Sequence, residues 1–237
     1  MKQLQSYNND ENLKKIFLEE IIKHRKADQI IQGTYGEENG KWKGCAVGCS
    51  IHSLNIRLGK KYSTSDHSVY EKELGIPEWL ARLEDTIFEG LPIKDAKKWP
   101  EKFAKAIPVG VNLEYIKWHF CAFLLKENID RVLKLKISDE LKEQVVKAIN
   151  QVLSVHEKAI ETGKWNDSAA ESAARSAESA AWNAAESAAR SAESAAWNAA
   201  GSAAWSAAWS AARSAARSAA YKKYAKELLR LLKNAKN

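Results

Sequence analysis

The chain has 237 residues, 45% of them hydrophobic, with a formal charge of +7 and an isoelectric point near 9.1. That length suits one large domain or a domain with an extension, and the lack of an apolar run of about 20 residues excludes a helical membrane span. The three cysteines are an odd number and the opening MKQLQSYNNDENL carries no apolar signal core, so a reducing cytoplasm is the expected setting.

Taken in order, the first helix is expected from a cap at Asn9 or Asp10 to about Lys26, with Leu13, Ile16, Phe17 and Ile21 on one face. The following IIQGTYGEENGKWKG changes character. Two short β-leaning pieces, Ile30 to Tyr35 and Lys41 to Lys43, flank Glu38-Asn39-Gly40, a hairpin signal. Gly44 then opens a helix that Gly59 closes. Ser65-Asp66 caps a short helix, and Pro77 starts another that runs to Gly90 with Trp79, Leu80, Leu83, Ile87 and Phe88 on its core face. A helix from Asp95 is interrupted or restarted at Pro100, Asn112 caps LEYIKWHFCAFLLKEN, and Ser138 caps a long helix ended by Gly163. The fold class expected is therefore mainly α, with a short β-hairpin near residues 30–43. Residues 1–165 form the helical domain carrying the site, and residues 166–237 form a long Ala/Ser-rich helix.

That last stretch is alanine-rich and free of proline, which favours one long helix. Residues 168–182 and 183–197 are 15-residue units that differ only at Ser168 and Asn183. Their Ser/Asn positions step by 3.75 residues on average and later by 4, both above the roughly 3.6 of a helical turn, so the stripe drifts around the axis. Gly201, beside Asn198, is the expected position of a bend or a hairpin. Glu171, Glu178, Glu186 and Glu193 precede Arg213, Arg217, Lys222 and Lys223. This order follows the helix dipole and reads as a stabilised helix rather than a nucleic-acid surface. Tyr221, Tyr224, Leu228, Leu229 and Leu232 share a face suited to docking or homo-oligomerisation.

Three kinds of chemistry can be drawn from the first domain. Cys45, Cys49 and His52 fall at i, i+4 and i+7 on one helix face, but three ligands in no zinc pattern call for neither metal nor cofactor. Cys45 at a helix start is a possible nucleophile with His67 or His119 as base. The third kind is a pocket. Lys41, Trp42 and Lys43 precede the Gly44 helix start, where free N–H groups suit an anion, and Trp42 can stack on a base. Cys45, Cys49, His52, His67, Arg82 and Glu84 would complete the lining. The leading expectation is non-enzymatic binding of a small anionic or nucleotide ligand. A cysteine-dependent hydrolase or transferase, and a structural protein acting through its long helix, are the alternatives.

KWKGCAVGCSIHS, YEKELGIPEWLARLEDTIFEGLP and AKKWPEKFAKAIPVG, across residues 30–110, resemble a widespread family of bacterial and phage proteins. Its members share a G-C-x-x-G-C segment, an E-L-G-I-P…L-A-R-L-E-D…F-E-G-L-P segment and often an alanine-rich C-terminal helix. The resemblance implies a bacterial host cell. Its phage members imply sequestration of a host molecule, such as a nucleotide signal of antiviral defence.

Overall fold

The computed structural model describes residues 4–38, 42–173 and 203–236, the last of these by its side chains from Arg217 onward. The chain divides into two compact units, one of Met1–Ile116 with Ala211–Asn237 and one of Lys117–Ser210.

In the first unit the chain enters through a tight turn at Ser6–Asn9, where Tyr7, Asn8 and Asn9 take positive φ. Left-handed backbone is costly for such residues, and burial of Tyr7, whose hydroxyl donates to Ala104 O at 2.8 Å, helps to offset it. Asp10 then caps α1 (Glu11–Lys26), its Oδ1 accepting from the amides of Asn12 and Leu13. Leu13, Phe17, Ile21 and His24 are the buried stripe of this helix.

The hairpin is present but its first strand lies later than expected. β1 (Glu37–Glu38) pairs antiparallel with β2 (Trp42–Lys43), while Ile30 makes only an isolated bridge to Gly44. Residues 30–36 instead fold as an irregular strap over the start of α2 (Ala46–Leu58), which Gly59 ends in the left-handed conformation. α3 (Ser68–Leu74) and α4 (Glu78–Gly90) follow, the first led in by Asp66 and stopped by Gly75, the second started at Pro77. The helix expected from Asp95 starts earlier, as α5 (Ile93–Ala96), and Pro100 sits in the first turn of a new helix, α6 (Trp99–Ala106).

α1 packs on α2 and α6, and α4 packs on α2, α3 and α6. Between them lie Ile51, Tyr70, Leu74, Leu80, Ile87, Phe88, Trp99 and Phe103, each almost wholly buried. Burial of side chains of this size contributes about 1.5–3 kcal/mol apiece. The Trp99 indole N–H is satisfied by Glu84 O at 3.0 Å.

The second unit takes most of α7 (Ile116–Leu133), together with α8 (Asp139–Thr162), capped by Ser138 and closed by Gly163, and helical residues 167–173. Lys126 and Glu157 pair between α7 and α8 at 2.7 Å.

The long C-terminal helix, α9, is described over Ala203–Lys233, and the bend expected at Gly201 lies outside the described residues. Its last turns return to the first unit. A Cβ on Gly90 would meet the Tyr221 ring at 2.2 Å, Lys222 pairs with Asp95 at 3.2 Å, and the Lys236 amide donates to the Tyr115 hydroxyl. The apolar face ending in Leu228 and Leu232 is thus buried by the chain's own body. No described helix is long and apolar enough to cross a membrane.

Candidate functional site

Cys45 does not lie inside α2 but is its N-cap. Its Sγ accepts from Gly48 N at 3.3 Å, and its own amide donates to Thr34 O at 2.7 Å. Donors expected to be open to an anion at this helix start are therefore partly spent within the chain. The strap lies this close because Gly44 and Gly48 have no side chains. A Cβ on Gly48 would stand 1.9 Å from the Tyr35 carbonyl oxygen.

The strap delivers Tyr35 to the centre of the site. Its hydroxyl donates to Asp85 Oδ2 at 3.1 Å, and its ring meets the edge of His67 at a centroid distance of 5.8 Å. His67 Nε2 stands 3.4 Å from the same Asp85 oxygen, while Nδ1–H donates to Ser65 O at 3.0 Å. Because Ser65 takes the Nδ1 proton, the Nε2 contact carries a hydrogen only when the ring is imidazolium or the carboxyl is protonated. The Cys45 thiol faces Asp85 as well, so Asp85 joins Cys45, His67 and Tyr35. Asp85 Oδ1 is buried and has no hydrogen-bond partner of good geometry.

Behind Asp85 on α4, Glu84 is 1% exposed and faces Tyr70. Glu84 Oε2 and the Tyr70 hydroxyl are both buried without completing a well-formed hydrogen bond. Burial, followed by the nearby Asp85 charge, pushes the Glu84 carboxyl up to about 8 against the stabilising Tyr70 hydroxyl. Burial and then Asp85 hold the Cys45 thiol far above the ordinary cysteine range. A thiol kept protonated beside two carboxyls is a poor nucleophile, which counts against the thiolate chemistry anticipated for Cys45.

On another side of α2 a second cluster forms. Trp42 stacks on His52 with centroids 4.0 Å apart and planes 3° from parallel, and its ring also fills the space a Cβ on Gly36 would need. Own-chain atoms thus already occupy this aromatic surface. Cys49 donates to Gly44 O, and burial pushes its thiol up to about 11. His24 bridges Gln29 Oε1 at 2.9 Å and Ser53 Oγ at 2.8 Å.

The proposed ligand-binding set is therefore divided. Cys45, His67 and Glu84 gather around Asp85, whereas Trp42, Cys49 and His52 belong to the second cluster. Lys43 and Arg82 are exposed, with Arg82 paired to Glu78 at 2.6 Å, Lys41 lies outside the described residues, and His119 is in the second unit. Neither a 310 Å³ cleft lined by Ile30, Gln32, Phe88 and Lys97 nor a 750 Å³ groove along α8 includes any of them. Among the described residues no group of three His, Cys, Asp or Glu could hold a metal ion.

The residues that sequence reasoning missed are Asp85, Tyr35, His24, Gln29 and Ser53. The adjacent Glu84-Asp85 pair was the available signal, because it falls on the face α4 turns to the core. Comparison with protein-family models, with curated proteins and with solved structures finds no match.

Proposed function

We propose that this protein binds a small polar molecule at the Asp85 centre, and that the molecule presents N–H donors as the edge of a nucleobase does. The observation carrying this reading is Asp85 Oδ1, a buried acceptor without a well-formed partner, set among Cys45, His67 and Tyr35. Buried polar atoms are almost always satisfied, so an unspent acceptor in a cluster of ionisable groups is a reason to look for a ligand. Carboxyl groups recognise donor edges and repel phosphate. A nucleotide would therefore enter by its base rather than by the anionic end expected from the Gly44 helix start. Sequestration of a nucleotide signal in a host cytoplasm, which the resemblance to phage proteins suggests, is the setting this reading fits.

A melting-temperature panel of nucleobases, nucleosides, nucleotides and small amines tests it. A ligand at a hundred times its dissociation constant should stabilise the full chain by about 2.7 kcal/mol, and Asp85→Asn should remove the shift. No shift anywhere in the panel, or a shift that survives Asp85→Asn, ends the proposal. Self-association through the alanine-serine stretch is a further part of the reading. Sedimentation of the full chain and of a chain lacking residues 174–202 checks it, and a monomeric full chain refutes it.

A further inference from the structure

Ser53, His24 and Gln29 form a relay between α1 and α2 that the Asp85 centre does not use. An amide oxygen can only accept, so the 2.9 Å contact to Gln29 Oε1 places the imidazole hydrogen on Nδ1. Nε2 is then left with its lone pair toward Ser53 Oγ, 2.8 Å away. This is the order nucleophile, base and orienting group that activates a serine, recognised by geometry rather than by position in the chain. Packing holds the ring in place, with His24 7% exposed and the His52 ring 6.1 Å away. Burial also lowers the His24 pKa, which favours the neutral form that a base requires. The Trp42 ring, stacked on His52, packs beside this relay, and its buried indole N–H faces the Cys49 sulfur.

We infer that Ser53 is a nucleophile activated by His24 and oriented by Gln29, with small esters or similarly activated acyl groups as its substrates. Ser53 Oγ bonds to the acyl carbon as its proton passes to His24 Nε2. The bond to the leaving alcohol then breaks and the alcohol takes that proton. Water, deprotonated by the same nitrogen, hydrolyses the acyl-serine and restores the hydroxyl. The substrate must be small because Ser53 is only 8% exposed. This inference stands apart from the binding reading and does not depend on it.

Treating the full chain with a small fluorophosphonate, and mapping the adduct by peptide mass, tests the assignment. The expected result is a single adduct on Ser53, formed faster as pH rises through the His24 titration and levelling off near neutrality. His24→Gln should slow it at least about a hundredfold, the range of a lost general base. An unlabelled wild-type Ser53 overturns the inference whether or not any variant folds, as does labelling of folded His24→Gln at the wild-type rate. Hydrolysis of a short p-nitrophenyl ester should disappear in Ser53→Ala, and its persistence counts equally against the assignment.

Discussion

Between pH 6.5 and 8 the protein is expected to lose about 1.5 kcal/mol of stability as pH rises, and Glu84→Gln is expected to abolish that loss. In the unfolded chain the Glu84 carboxyl titrates near its ordinary 4.5, whereas in the fold it holds its proton up to about 8. Unfolding above pH 4.5 therefore releases a proton, and stability declines until the folded carboxyl also ionises. His24 and His156 work the other way. Burial lowers both below the ordinary 6.5, so the stability they contribute rises as pH passes that value and partly masks Glu84 at the lower edge of the window. The cysteine thiols have ordinary values near 9, which puts their contribution above the window. Melting temperatures at pH 6.5, 7.2 and 8 for wild type and Glu84→Gln check the expectation. Parallel curves for the two proteins would show that Glu84 is not the group responsible.

Gly48→Ala should destabilise the first unit by about 3 kcal/mol, or roughly 10 °C in melting temperature. The added methyl would lie 1.9 Å from the Tyr35 oxygen and 2.8 Å from its carbonyl carbon. Both are backbone atoms, so no rotamer change relieves the contact and the whole strap must move. Such movement takes the Tyr35 hydroxyl off Asp85, and any ligand that stabilises the wild type should lose its effect. Gly59→Ala provides the contrast. Gly59 has φ +63 but nothing within 4 Å of its added Cβ, leaving only about 1 kcal/mol of backbone cost. Equal melting temperatures for the two variants would mean that the strap yields freely.

Where an element is defined by local chemistry, the chain announces it. Asp10 and Ser138 cap helices through their own side chains, and Gly59, Gly75 and Gly163 end them in the left-handed region, each within a few residues of the motif that signals it. The site was less legible because its contacts are long-range or run against residue type. Glu84 and Asp85 are carboxylates, which ordinarily face water, so only their position on an otherwise apolar face hinted at burial. Tyr35 meets Asp85, and His24 meets Ser53, across stretches of chain that no periodicity connects. Cys45 stands at a helix start, but its burial and the carboxyl beside it outweigh the capping bond from Gly48 and reverse the activation that such a position usually implies.

The return of α9 to the first unit has a consequence for how the molecule is made. Residues 1–116 emerge from the ribosome first, yet the surface around Gly90 and Tyr115 is completed only by residues 211–237. The part of this unit made earlier is completed by the part made later, and residues 117–210 lie between the two in sequence. A chain stopped before residue 211 leaves that unit without its closing segment.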